Sequence, residues 1–119
     1  MAVLKIVRLG SPVLRQIAAP VDPDMIGKRV FQQFLDDMLD TMVETDGIGL
    51  AAPQVSRSEQ VVVMECKGEH GFPQTILINP VIVGYSPATA ESWEGCLSVD
   101  NLRGKVTRPV GVRVTYLDR

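Results

Sequence analysis

Phe31, Phe34, Leu35, Met38, Leu39 and Met42 recur at steps of three and four residues, which places them along one stripe of an α-helix. Lys28, Arg29, Gln32, Gln33, Asp36, Asp37, Asp40 and Thr41 fall on the other side, so the helix is expected to bury one face and keep the other wet. An apolar stripe of this kind must be covered, and the remaining chain offers only short strand-like runs to cover it. Val61-Val62-Val63-Met64, Thr75 to Asn79 and Val81 to Tyr85 are rich in β-branched residues, and Val112, Val114 and Tyr116 alternate with Arg113, Thr115 and Leu117. The expected fold class is therefore α+β: short antiparallel or mixed strands packed with an N-terminal amphipathic helix, in one domain over residues 1–119.

Local signals place the boundaries. Val3 to Val7 reads as a short strand, and Ser11 with Pro12 as the cap and first position of a single helical turn. Asp22, before Pro23, and Asp24 are equal candidates for the cap of the next helix. Gly47 is expected to end the amphipathic helix in a left-handed cap. Gly68-Glu69-His70-Gly71-Phe72-Pro73 reads as a turn, and Pro80 is expected to hold Asn79 extended.

Composition narrows the function classes. A content of 45% hydrophobic and 22% charged residues is that of a chain that buries a core, which sets disorder aside. The net charge of −2 provides no basic field for a nucleic acid or an anionic membrane. No apolar run approaches the roughly 20 residues that cross a bilayer, and Lys5 and Arg8 interrupt what would be the apolar part of a signal peptide. Two distant cysteines, Cys66 and Cys96, lack a disulfide framework, so the protein is expected to be cytoplasmic and Cys96 to be chemical rather than structural.

Two motifs carry that chemistry. Gly47-Ile48-Gly49-Leu50-Ala51-Ala52-Pro53-Gln54 is too small for ordinary helix and too apolar for ordinary loop, so it reads either as a tight packing turn or as a place where another backbone approaches. It lacks the Lys-Ser/Thr ending of a phosphate-binding loop. Glu94-Gly95-Cys96-Leu97-Ser98 presents a thiol that could serve as nucleophile, metal ligand or half of a disulfide.

In this order and at this separation after an amphipathic helix, the pair resembles the motifs of peptide deformylases. Leu9 to Arg15, Leu77-Ile78-Asn79-Pro80 and the segment from Val106 to Arg119 match the family's order as well. The resemblance implies a deformylase-like fold and a metal-dependent hydrolase of protein biosynthesis that removes the formyl group from the N-terminal formyl-methionine of nascent polypeptides at the ribosome exit. It implies that Cys96 is a ligand of a divalent metal, Fe2+ in the family and replaceable by Zn2+, Ni2+ or Co2+. Gln54 and the backbone N–H of Leu97 are then catalytic, facing the oxyanion. Ile48, Gly49 and Gly95 bind an extended substrate, with Glu94 and Arg103 near the methionine pocket, where they are expected to form an ion pair.

The sequence departs from the family at one point. The family's His-Glu-x-x-His helix, which supplies two metal ligands and the catalytic glutamate, is absent from these 119 residues, and His70 is the only histidine. His70 is expected to be a surface turn residue and Cys66 a packing residue at a strand end. These features imply a truncated or incompletely represented enzyme that self-associates through apolar surface, with a catalytically inactive peptide-binding protein as the alternative.

Overall fold

The computed structural model describes residues 2–119. The apolar stripe forms the helix expected of it: α2, Arg29–Glu44, buries Phe31, Phe34, Leu35, Met38, Leu39 and Met42. It is preceded by a separate short helix, α1, Pro23–Ile26, in which Asp22 rather than Asp24 is the cap, its carboxylate accepting from Asp24 N–H at 3.0 Å. A single 3-10 turn, Pro12–Arg15, lies earlier in the chain; it begins where Pro12 implies, but the Ser11 side chain makes no capping bond.

Thr41 is a correction, because it is fully buried rather than wet. Its hydroxyl donates to the Asp37 carbonyl at 2.7 Å and accepts from Leu4 N–H at 2.7 Å. The N-terminal segment lies along this flank of α2, and Ala2 N–H donates to Asp37 Oδ1 at 2.9 Å. Val3 to Val7 is therefore not a strand. Its amides are used by a helix side chain and by the Gln54 carbonyl, which accepts from Val7 N–H at 2.8 Å. At the far end of α2 the left-handed residue is Asp46, at φ 59°, and not Gly47.

The strands form two sheets. β1 (Gly49–Ala51), β2 (Val61–Cys66), β3 (Phe72–Tyr85) and β6 (Val112–Leu117) lie in the order β1-β2-β3-β6, each pair antiparallel. β4 (Thr89–Cys96) and β5 (Val99–Pro109) make a separate antiparallel ribbon. Register puts Leu50 opposite Val63, Val63 opposite Ile76 and Val61 opposite Ile78. These side chains share one sheet face, and all are buried in the cluster that contains the α2 stripe. The Arg57 guanidinium covers one end of this core, 4.1 Å from the centre of the Phe34 ring.

The two runs expected as separate strands, Thr75 to Asn79 and Val81 to Tyr85, are one strand with a bulge. Asn79 is not extended but sits at φ 52°. Its carboxamide clamps Val21, accepting from Val21 N–H at 2.7 Å and donating to Val21 carbonyl at 2.8 Å. This pair of bonds outweighs the local preference that Pro80 imposes. The turn before β3 closes at Gly71, where a Cβ would lie 2.0 Å from the Cys66 carbonyl oxygen, so no other residue fits. Beyond the bulge, Val81, Ile82, Val83, Tyr85, Val112 and Tyr116 are all exposed.

Truncating Leu35, fully buried on α2, to Ala should cost about 2–5 kcal/mol, because the cavity adds to the lost transfer energy. Val43→Ala, on the same helix but more than half exposed, should stay within about 0.5 kcal/mol. Urea unfolding of both variants checks the assignment, and equal losses would contradict it.

Candidate active site

After α2 the chain turns through Gly47 into β1, which lies at the sheet edge and pairs only with β2. Its outer edge is left open and Ile48 beside it is 64% exposed. A 3-10 turn follows, Ala52–Val55, with Pro53 fixing its first residues and Ser56 closing it at φ 67°. Within this turn Ala51 N–H donates to Gln54 Oε1 at 2.9 Å. With its oxygen held there, the Gln54 carboxamide turns Nε2 toward the β4–β5 ribbon, 3.5 Å from Cys96 Sγ and 3.2 Å from Ser98 Oγ.

The ribbon turns at Leu97-Ser98, between the paired residues Cys96 and Val99, with a register irregularity at Gly95 and Cys96. The Cys96 thiol is exposed, while Leu97 packs against the main core and Ser98 is buried. Gly47 makes this possible, since a Cβ there would lie 2.8 Å from Leu97 Cδ1. The glycine of the first motif thus admits the leucine of the second. Leu9 N–H donates to the Ser98 carbonyl at 2.8 Å, and the Val7 bond to Gln54 holds the opposite side. Arg8 adds an ion pair with Asp100.

The two motifs face each other across a cleft of about 1190 Å³, whose lining includes Gln54, Cys96 and Leu97. Ile48, Gly49, Glu94, Gly95 and Arg103 line it too, so the residues singled out in the sequence converge on one place. The expected ion pair is corrected: Glu94 pairs with Arg108, whose Nη2 donates to Oε1 at 2.8 Å. Strand period explains the choice. Glu94 stands opposite Gly104 and Ala90 opposite Arg108, so Glu94 and Arg108 share a ribbon face, whereas Arg103, opposite Gly95, lies on the other. Hydrogen bonds from Arg108, reinforced by its charge and opposed by slight burial, hold the Glu94 carboxyl below the ordinary glutamate range.

The sequence reading assigned no role to Ser98, Arg108 or the Val7–Leu9 segment. Leu97-Ser98 lacks the Asn-Gly, Asp-Gly or Gly-first pair that marks a two-residue hairpin turn, so the ribbon turn could not be located and the pairing to Arg108 could not be counted. His70 is exposed in the β2–β3 turn and does not line the cleft. Cys66 ends β2 and is partly buried, as expected. Among the described residues no three His, Cys, Asp or Glu side chains gather to hold an ion. The described residues by themselves do not fit a complete metal centre.

An open strand edge, a thiol and a fixed amide donor thus line one cleft. A family model described as polypeptide deformylase matches residues 3–119. Peptide deformylase 2 of a Nostoc species is 40% identical over 98% of this chain and 67% of its own length. The peptide deformylase of Fusobacterium nucleatum is 47% identical over 98% of this chain and 64% of its own length. The chain thus spans about two thirds of the length of these curated relatives. The actinonin-bound crystal structure of class I type b peptide deformylase from Acinetobacter baumannii matches at TM-score 0.92 and 36% identity, covering 99% of this chain and 76% of that one. A probable peptide deformylase from a synechococcus phage matches at TM-score 0.85 and 37% identity, covering 97% of this chain and 76% of that one. The chain belongs to the polypeptide deformylase family, a family of metal-dependent hydrolases, and has that family's α+β fold.

The Glu94–Arg108 pair has a defined pH signature. A carboxylate held below its ordinary range stabilises the fold above the unfolded-state value, and that contribution is lost as pH falls through the folded-state value. The Glu94 carboxyl should therefore titrate below that of a glutamate in an unstructured peptide, and Arg108→Ala should return it to the ordinary range, as followed by carboxyl NMR. An unchanged titration in Arg108→Ala would contradict the pairing.

Proposed function

We propose that this protein removes the formyl group from the N-terminal formyl-methionine of nascent polypeptides, as its family does, in the cytoplasm near the ribosome exit. The observation that supports this most directly is the contact of Gln54 Nε2 with Cys96 Sγ at 3.5 Å, beside the open edge of β1. Nothing in the family relationship favours the alternative of a catalytically inactive peptide binder.

The chain's own residues act on substrate in two ways. The backbones of Ile48, Gly49 and Gly95 pair with an extended peptide added at the β1 edge, which fixes the direction in which the formyl end enters. Glu94 and Arg103 stand by the wall of the methionine pocket. Gln54 Nε2 and Leu97 N–H then point donors at the formyl oxygen, where charge grows as the carbonyl becomes tetrahedral. A donor fixed before substrate arrives needs no reorganisation when that charge develops. Cys96 would hold the family's divalent metal as one of its ligands, iron or in its place zinc, nickel or cobalt; soft thiolate suits these ions. Were such an ion held there, the chemistry it would supply is Lewis acidity toward the carbonyl.

The exposed apolar residues on β3 and β6 beyond Asn79 give a basis for self-association with a second copy of this chain. Covering them would return about 25 cal/mol per Å² of apolar surface. Sedimentation velocity over a concentration series should show a concentration-dependent dimer, weakened in Tyr85→Lys; a monomer at every concentration would count against it.

Gln54→Ala should lower kcat on a formyl-methionyl peptide about 10²- to 10³-fold while leaving KM nearly unchanged, the pattern of an interaction made in the transition state. A rise in KM alone would sink the assignment. Cys96→Ser should reduce the iron or zinc retained after dialysis, measured by elemental analysis, and equal retention would remove Cys96 from the ligand set.

A further inference from the structure

We propose that Ser98 is a positioning residue whose hydroxyl sets the orientation of the Gln54 carboxamide. The proposal deepens the preceding reading and rests on it for its catalytic consequence. The amide of a glutamine turns about a broad terminal torsion, so one hydrogen bond leaves it free to rock. Gln54 has two anchors on its carboxamide, on opposite atoms. Ala51 N–H fixes Oε1 at 2.9 Å and Ser98 Oγ accepts from Nε2 at 3.2 Å.

Nε2 carries two hydrogens that diverge in the amide plane. Ser98 takes one. The other is left on the Cys96 side, where Sγ at 3.5 Å is a weak acceptor that a carbonyl oxygen entering the cleft can replace. Ala51 N–H, a donor only, sets which end of the amide is which, and the Ser98 hydroxyl, which can donate or accept, holds the amide plane so that the second hydrogen faces substrate.

The hydroxyl can do this because it is itself held. Ser98 is 4% exposed, and its carbonyl accepts from Leu9 N–H at 2.8 Å. Leu97, the preceding residue, is packed against the main core. The Val7 bond to the Gln54 carbonyl, at 2.8 Å, ties the N-terminal segment to the partner residue as well. Donor and acceptor, separated by 44 residues, are thus stitched by one short stretch of chain.

The test follows the Gln54 side-chain amide by 15N–1H NMR in the wild-type protein, in Ser98→Ala and in Ser98→Thr, with turnover measured on the same samples. Methyl resonances of Leu35 and Met38 report that each variant is folded. In Ser98→Ala the amide pair should collapse toward the shifts of free glutamine, and kcat should fall about three- to tenfold, the range of one lost neutral hydrogen bond, with KM unchanged. Ser98→Thr, which keeps the hydroxyl, should restore both. An amide that stays ordered in Ser98→Ala overturns the proposal whatever happens to turnover. An amide that collapses while kcat holds supports the positioning role and overturns Gln54 as the donor, so the two ideas fail separately.

Discussion

The burial of the α2 stripe against one face of β1, β2 and β3 is the constraint on which everything else rests. β1 has only three residues, too few to hold a strand in place through its ladder alone. What fixes it is Leu50, 1% exposed in the middle of the strand and packed into the cluster with the α2 side chains. Burying a side chain of that size contributes on the order of 1.5–3 kcal/mol. Gln54 lies four residues on, within a 3-10 turn whose start is set by Ala51 in β1 and by Ala52, which is fully buried. The amide donor of the cleft is therefore positioned by the core, although it stands outside the core.

The second half of the site is attached to the same core by a different route. The β4–β5 ribbon belongs to no larger sheet, and little along its length is buried. It is secured at its tip, where Leu97 reaches past Gly47 into the apolar cluster and Ser98 is enclosed. Leu9 bonds to that tip and Val7 to the 3-10 turn, so the N-terminal segment joins both halves. Two structures with little mutual contact come together at the one point where the thiol and the carboxamide meet.

How much of this was legible in the sequence depended on whether the governing contact was local. The α2 stripe was read correctly because helical period is a property of neighbouring residues. Thr41 was misread because its burial comes from Leu4, distant in sequence, which no periodicity registers. Asn79 was misread for a similar reason: Pro80 sets a local preference, and the clamp on Val21 overrides it. The convergence of Gln54 and Cys96 was legible only through the family resemblance of two motifs, since nothing local links residues so far apart. The Glu94 partner went wrong by strand parity, which needed the ribbon turn to be located first.

A strand edge left bare is ordinarily a hazard, because it invites pairing with other chains. β1 keeps its outer edge open, yet it is short and begins at a glycine, so it offers only a few backbone groups and little apolar surface to a random partner. An extended peptide gains enough there only if its end also finds something in the cleft. Gln54, Cys96 and Leu97 line the same cleft as Gly49 at the start of that edge, so a chain paired along β1 would run beside the thiol and the carboxamide.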